Sequence, residues 1–398
     1  MALVRHHHGF KRYAFSVCYD GLKCLGFSFQ GAHENCITAN GTDLRAVHSV
    51  EGKIRAALSA LVDGYGRRKD SPWKNNECMD GSNFENFQVS SRTDRSVHAL
   101  KNTFHLDIRM KDIQLSWEPQ KLVRGLNFHL IRNARDETAK ILQDCHGALP
   151  ANLMRSPEND VRIIACKPAP LELLPNKHYN DGPPSSRSQP SHIAWNARFT
   201  ATSRTYVYRI LVHRLPIPQA HNDDADNSSH TSSQMEEYGF PFEAGRSWRI
   251  HCQNHFDLQA MTEAAKTLTG THDFTSFRGK GCYRSNPVTS IESIGIQATP
   301  FLSSFAFLRN EHDHNNHNNS NSNSNNNAEI ITVAIKGNAF LYRQVRNLVG
   351  CLAHVGQGKT KPGEVESILL ARDRSKAPQM APAHGLYLVD VEHGDFNI

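Results

Sequence analysis

The stretch from Phe87 to Leu100 constrains the fold of this chain more than any other. Its first residues, Phe87–Val89, alternate between apolar and polar side chains, which is typical of a strand with one buried face. A polar segment, Ser90–Ser96, follows, and apolar character returns at Val97–Leu100. The pattern predicts a strand that leads into a bend, and Asp94 is the carboxylate at that bend.

Asp94 lies between Arg92 and Arg95 in the polar segment. Neighbouring cations favour the ionised form of a carboxyl group, so Asp94 is a candidate nucleophile or general base. The alternative is a surface loop with a solvated ion pair, because exposed ion pairs are common and contribute little to stability. These few residues leave both interpretations open.

Two further stretches contain candidate functional residues. Ala194–Leu211 ends in strong alternation, which predicts a strand with Tyr206 and Tyr208 on one face. Tyrosines in such positions are more often core or edge aromatics than catalysts. Gly337–Gly350 is predicted to begin a helix with an apolar face, and Arg346 within it would need a partner if it is buried. The alternative for Arg346 is an exposed side chain.

Several segments, in the same order along nearly the whole chain, resemble motifs of the TruA family of pseudouridine synthases. Ser91–Ala99 is similar to the family pattern Gly-Arg-Thr-Asp-Ala-Gly-Val-His-Ala. Arg204–Tyr208 matches Arg-x-Tyr-x-Tyr, and Gly270–Arg278 resembles Gly-x-His-Asp-Phe-Ser-Ser-Phe. The segment that carries Arg346 and the segment Ala381–Leu388 resemble the family's C-terminal motifs. The resemblance is closest to the animal tRNA pseudouridine synthase-like branch, which is of mitochondrial type.

The resemblance implies isomerisation of uridine to pseudouridine in RNA, with tRNA as the expected substrate and with no cofactor or metal. Asp94 would be the nucleophile, and Arg346 would pair with it. Tyr206 would stack on the target uracil, and Arg92 would fill the space left by the flipped base or contact a phosphate. The other predicted RNA-binding residues are Arg95, His98, Arg204, Arg343, Asp273 and Arg278, of which Asp273 is expected in a structural or RNA-positioning role. A homodimer is also expected. The alternative function is a weakly active or non-catalytic RNA-binding factor in mitochondrial ribosome or RNA maturation.

The chain departs from the family pattern directly after Asp94. Arg95-Ser96 replaces the usual Ala-Gly. Glycine tolerates positive φ more readily than serine, so we expect the bend to differ slightly. Arg95 adds positive charge near the expected RNA path, and activity is expected to survive.

The implied fold is α+β, with two domains that each have an antiparallel sheet and helices on one face, around a central RNA-binding cleft. We place the N-terminal domain at 1–182, with a loop insert at 67–85, and the C-terminal domain at 193–398. The loops 220–237 and 311–327 are rich in polar residues and are expected to be disordered. Apolar stripes predict helices at Ser49–Val62 and Asp257–Leu268, with Ser49 and Asp257 as their N-caps. Lys121–Asn127 resembles a family helix that ends in asparagine.

Composition narrows the class of protein further. The net charge of +6 over 398 residues fits an anionic partner. The nine cysteines are scattered and odd in number, which favours a reducing compartment over a disulfide framework. No apolar run is long enough to span a bilayer, so no membrane association is expected. The first 19 residues lack acids, as a short mitochondrial presequence does, and we expect a mitochondrial or cytoplasmic protein, with the resemblance slightly favouring the mitochondrion. Gly356–Thr360 imitates the end of a P-loop, but the required earlier glycine is Ala353, so nucleotide hydrolysis is rejected.

Overall fold

The computed structural model describes residues 10–28, 48–62, 83–109, 117–144, 160–170, 173–175, 192–214, 243–252, 256–301 and 328–398. The strands in these ranges are β1 (Phe10–Tyr19), β2 (Phe84–Val89), β3 (His98–Arg109), β4 (Val161–Pro168), β5 (Leu173–Pro175), β6 (His192–Ala194), β7 (Ser203–Arg214), β8 (Trp248–Cys252), β9 (Gly270–Asp273), β10 (Val288–Pro300), β11 (Ala328–Gly337) and β12 (Leu386–Glu392). The helices are α1 (Val50–Val62), α2 (Pro119–Asp144), α3 (Leu258–Leu268), α4 (Gln344–Gly356) and α5 (Glu364–Ala371). The α+β class expected from the sequence is confirmed.

The chain forms two compact units. The first contains residues 1–204 and 387–398, and the second contains residues 205–386. This division differs from the predicted boundary, because it falls within β7 and returns the last residues of the chain to the first unit. The reason is strand pairing: β12 pairs with β3 through Tyr387 with His98 and Leu388 with Ala99. Alternation along a strand does not indicate its partner.

The sheet of the first unit has the order β4-β1-β3-β12, and β2 also pairs with β3. β1 pairs antiparallel with both β3 and β4, whereas β12 pairs parallel with β3, so the expectation of a wholly antiparallel sheet is wrong at this strand. Three stacked rings occupy its core: Phe104 lies 4.9 Å from Phe15 and 4.9 Å from Phe87, measured between ring centroids. β2 begins at Phe84, so the last two residues of the predicted insert 67–85 belong to the sheet.

The helices of the first unit have amphipathic sequences. A polar side chain on one of them bonds to the sheet. Ser49 caps α1 by accepting a hydrogen bond from the backbone of Gly52 at 3.0 Å. α2 continues well past Asn127, so the predicted helix end at this residue is wrong. Asn127 instead exchanges two hydrogen bonds of 2.9 Å with the backbone of Ile163 on β4. The asparagine thus marks a contact with the sheet.

In the second unit the sheet order is β7-β11-β10-β9, and β8 pairs parallel with β7. α3 is capped by Asp257, as predicted, and buries Met261, Ala265 and Leu268. α4 is buried at every residue except His354, which is typical of a helix in a protein interior. It begins seven residues after the predicted start at Gly337.

Several predictions lie outside the described residues. They are the loops 220–237 and 311–327, residues 67–82 of the insert and the N-terminal residues 1–9. In the part of the chain that the structure describes, no helix combines the length and the apolar character needed to cross a membrane.

Candidate active site

The predicted bend lies between β2 and β3 and is held by backbone hydrogen bonds. The N–H of Val97 donates to the carbonyl of Asp94 at 3.2 Å, and the N–H of Phe27 donates to the carbonyl of Thr93 at 3.1 Å. Ser96 has a φ of 65°, in the left-handed region that glycine adopts more easily. The bend predicted from the sequence is confirmed, and a serine accommodates the strained position.

Buried side chains of the neighbouring strands β1 and β3 form hydrogen bonds that hold the loop in place. Asn102 on β3 is fully buried and donates to the carbonyl of Ser91 at 2.8 Å. The hydroxyl of Tyr19 on β1 lies 2.8 Å from the hydroxyl of Thr93. Since both partners belong to the sheet, the backbone on the N-terminal side of Asp94 is fixed before any substrate arrives.

The side chains of the loop alternate in exposure. Thr93 is buried, Asp94 is half-buried, and Arg92 and Arg95 are exposed. The carboxylate of Asp94 therefore reaches solvent from a backbone that is fixed. This is the arrangement required of a nucleophile that meets a bulky substrate.

His98 was predicted to bind RNA, but it lies inside the first unit. Its ring is 2% exposed and stacks on Tyr387 with 4.6 Å between ring centroids. Nδ1 lies 3.3 Å from the backbone nitrogen of Gly21 and 3.2 Å from Oδ1 of Asp20. Burial of this kind favours a role in holding the loop over direct contact with RNA.

Arg204, a second predicted RNA-binding residue, is also buried. Its Nη2 donates to the carbonyl of Ser90 at 3.0 Å and to the carbonyl of Arg198 at 3.2 Å. The guanidinium thus joins the end of β2 to the turn that precedes β7. Sequence reasoning missed this role because the arginine alone does not indicate its carbonyl partners.

The two tyrosines of β7 differ in their surroundings within the second unit. Tyr206 is 7% exposed and meets the ring of Phe340 edge-on at 5.2 Å. Tyr208 is fully buried, and its hydroxyl donates to the carbonyl of Pro382 at 2.7 Å. Burial raises the pKa of Tyr208 far above its usual value. Tyr206 is therefore the more exposed of the two, and its stacking on the target uracil stays a prediction.

Arg346 is buried, 9% exposed, in the first turn of α4. Its Nε donates to the carbonyl of Ala381 at 2.9 Å, and the N–H of Ala381 donates to the carbonyl of Arg346 at 3.1 Å. The exposed alternative for Arg346 is wrong. This reciprocal pair fixes the side chain and satisfies part of the hydrogen-bonding capacity that a buried guanidinium requires.

The remaining predicted residues surround the entry to α4 and the end of β9. Arg343 is exposed with a φ of 60°, and its guanidinium lies 4.7 Å from the centroid of the Tyr342 ring. Asp273 accepts two hydrogen bonds from Thr275, at 2.9 and 2.6 Å, which supports the structural role expected of it. Arg278 is half-buried.

The candidate residues are divided between the two units. Arg92, Asp94, Arg95, His98 and Arg204 lie in the first, and Tyr206, Asp273, Arg278, Arg343 and Arg346 lie in the second. The loop brings Arg92, Asp94 and Arg95 together. The predicted pairing of Asp94 with Arg346 joins residues of both units and stays a prediction. Among the described residues, no group of three or more His, Cys, Asp and Glu side chains is arranged to hold a metal ion.

Comparison with known proteins gives a consistent result. A family model described as tRNA pseudouridine synthase matches residues 264–393. The tRNA pseudouridine synthase A of Jannaschia sp. is 26% identical over 96% of this chain and 95% of its own length. The proteins of the same name from Beijerinckia indica and Caulobacter vibrioides are each 27% identical, over 96% of this chain and 94% and 99% of their own lengths.

Proposed function

We propose that this chain isomerises uridine to pseudouridine in tRNA with Asp94 as its nucleophile. The premise is that it is a TruA-family tRNA pseudouridine synthase, and the family model and the bacterial relatives support this premise. The observation that carries the assignment of the nucleophile is the loop itself. It presents one half-buried carboxylate from a backbone that buried residues of two strands hold in place.

The reaction conserves atoms and electrons. The bond between C1′ and N1 of uridine breaks, the uracil turns, and a bond forms between C1′ and C5. The C5 proton leaves, and N1 gains a proton. Asp94 either attacks C1′ directly, in which case its bond to C1′ breaks as C5 bonds to C1′, or assists the glycosidic cleavage without a covalent bond, and in both routes it acts as an anion.

The other residues have supporting roles in the proposal. Arg346 orients the carboxylate, because a guanidinium can hold a carboxylate through two parallel hydrogen bonds. Tyr206 stacks on the uracil and assists removal of the C5 proton. The target base must leave its stack, which costs a few kcal/mol, and Arg92 contacts the RNA beside the vacated position.

The test is a single-turnover assay with uridine-labelled tRNA transcripts that compares the wild type with Asp94→Asn. Asparagine keeps the shape of the side chain and removes its charge, so we expect pseudouridine formation to vanish while tRNA binding is retained. Asp395→Asn removes an exposed carboxylate elsewhere in the same unit and serves as the matched control, with full activity expected.

Full activity of Asp94→Asn would refute the assignment of the nucleophile. Absence of product from the wild type on tRNA, rRNA and mRNA fragments, with RNA binding intact, would favour a non-catalytic RNA-binding factor.

The same proposal includes three finer assignments: the animal mitochondrial-type branch, a homodimer and a mitochondrial location. The first and the third rest on the resemblance of the motifs. Light scattering of the purified full chain tests the dimer, since a monomer mass at working concentration would exclude it. Fractionation of cells that express the chain tests the location.

A further inference from the structure

The turn at Asn196–Thr200 is fastened to the end of β2. Asn196 Nδ2 donates to the side-chain oxygen of Gln88 at 3.2 Å, and the hydroxyl of Ser90 donates to the carbonyl of Ala197 at 2.5 Å. The side-chain oxygen of Asn196 accepts from the backbone of Arg198 at 2.9 Å, which closes the turn. The turn therefore has a fixed position relative to the residues that enter the Asp94 loop.

Arg204 strengthens this junction. It is 7% exposed, and one of its guanidinium nitrogens, Nη2, donates to the carbonyls of both Ser90 and Arg198. Two backbone segments that share one donor atom cannot move independently without breaking a buried hydrogen bond. Two residues after Ser90 the chain reaches Arg92, so this junction also fixes the start of the loop.

Two exposed arginines emerge from the joined segments, Arg92 from the loop and Arg198 from the turn. Although Arg198 is exposed, protein atoms around it partly desolvate its guanidinium, and this desolvation together with the positive charge of Arg92 lowers the pKa of Arg198. The Arg198 guanidinium also lies 5.2 Å from the centroid of the Phe199 ring, which orients it. The Arg204 junction joins the backbone segments from which the two cations emerge, and an anion that contacts both side chains would offset their mutual repulsion.

We propose that Arg198 and Arg92 form a binding site for an RNA backbone phosphate beside the Asp94 loop, and that Arg204 is a positioning residue that fixes the site. The inference rests on the proposed function for its substrate. Phosphate is the favoured ligand because guanidinium groups match its oxygens through pairs of parallel hydrogen bonds. An RNA phosphate is favoured over a free anion because both arginines are anchored to the loop that carries the nucleophile.

The test measures tRNA affinity as a function of salt concentration for Arg198→Gln. We expect binding to weaken roughly tenfold at low salt and the logarithmic salt dependence to become shallower by about one unit, because one phosphate contact is lost. Arg198→Lys should keep the salt dependence of the wild type, since it keeps the charge.

Arg162→Gln is the matched control, because it removes the same charge from an exposed arginine on β4 of the same unit. It should leave the salt dependence unchanged. An equal change in Arg162→Gln and Arg198→Gln would show an effect of net charge alone and would overturn the proposal, as would wild-type binding by Arg198→Gln.

Arg204 is tested by a double-mutant cycle with Arg204→Met and Arg198→Gln. If Arg204 acts through Arg198, the two losses of tRNA affinity are not additive, and the double variant binds about as well as Arg204→Met alone. Additive losses would assign Arg204 to general stability and overturn its positioning role. The two proposals can fail separately. If the wild type forms no pseudouridine but Arg198→Gln still has the shallower salt dependence, the proposed function fails and the phosphate site stands.

Discussion

The loop at 90–98 and the helix α4 present functional side chains by opposite means. The loop has irregular backbone and polar sequence, and hydrogen bonds from Asn102, Phe27 and Arg204 hold its carbonyls. α4 has regular backbone, and burial on all sides fixes it. Arg92 and Arg95 on the loop are exposed and Asp94 is half-buried, whereas Arg346 on α4 is only 9% exposed.

Two structural features are nevertheless common to the loop and α4. Each contains one residue other than glycine with positive φ, Ser96 in the loop and Arg343 directly before the helix. Each also depends on a glycine where two backbones approach closely, Gly21 against the loop and Gly350 against the segment that carries Ala381. Hydrogen bonds alone therefore do not explain the loop, and apolar packing alone does not explain the helix.

The largest expected effect comes from filling the two close approaches. A Cβ at Gly21 would overlap the backbone of Val97, and a Cβ at Gly350 would overlap the carbonyl of Gln379. Backbone atoms cannot rotate away, so Gly21→Ala and Gly350→Ala should each lower the free energy of unfolding by about 3 kcal/mol. Urea denaturation measures this, and Gly363→Ala, where a Cβ meets no atom within 4 Å, is the control.

If the two regions differ as described, Gly21→Ala should also reduce the single-turnover rate by displacing the Asp94 loop. Unchanged urea midpoints for both variants would refute the close approaches. A Gly21→Ala protein with reduced stability and full activity would show that the loop position tolerates displacement.

A second effect, smaller for each residue involved, is a pH dependence that is strongest on the loop side. Burial lowers the pKa of His105 and of His393 to about 3, and the charges of Arg204 and Lys101 contribute at His393. His393 Nε2 lies 2.7 Å from the hydroxyl of Thr103, which in turn bonds Ser90 at the base of the loop. The folded state therefore holds both rings neutral.

The unfolded chain binds protons at these histidines near pH 6.5, well above the folded pKa, so acid favours unfolding. We expect the free energy of unfolding to fall by about 2 kcal/mol per histidine between pH 7 and pH 5. His393→Gln should make this fall shallower. Amide hydrogen exchange in β3 against α4 localises the effect, and equal acid sensitivity of both elements would contradict the comparison.

The smallest expected effect concerns Ser96. Its φ of 65° strains serine and not glycine, so Ser96→Gly should change the free energy of unfolding by less than about 1 kcal/mol, in the stabilising direction. Ser96→Ala keeps the strain and is the matched control. Thermal denaturation of the three proteins gives the order, and a destabilised Ser96→Gly would mean that the serine side chain makes a contact that outweighs the strain.

Sequence reasoning predicted the elements well where periodicity was strong and poorly where long-range partners decide. The caps at Ser49 and Asp257 were predicted because they depend on residues three positions away. The end of α2 was misplaced because Asn127 bonds a strand far along the chain. Arg198 was not singled out at all, since its significance depends on Arg204 and Ser90.

The sequence by itself determined the bend with Asp94 in its polar segment and the order of motifs that resembles the family, and through this resemblance the α+β class. These are properties of local pattern, and local pattern is what a sequence states directly. The tertiary structure decided that His98 and Arg204 are buried, that the final strand returns to the first unit, and that Arg346 bonds Ala381. Burial and hydrogen-bond partners depend on which distant segments of the chain come into contact, and the spacing of residues along the sequence does not indicate these contacts.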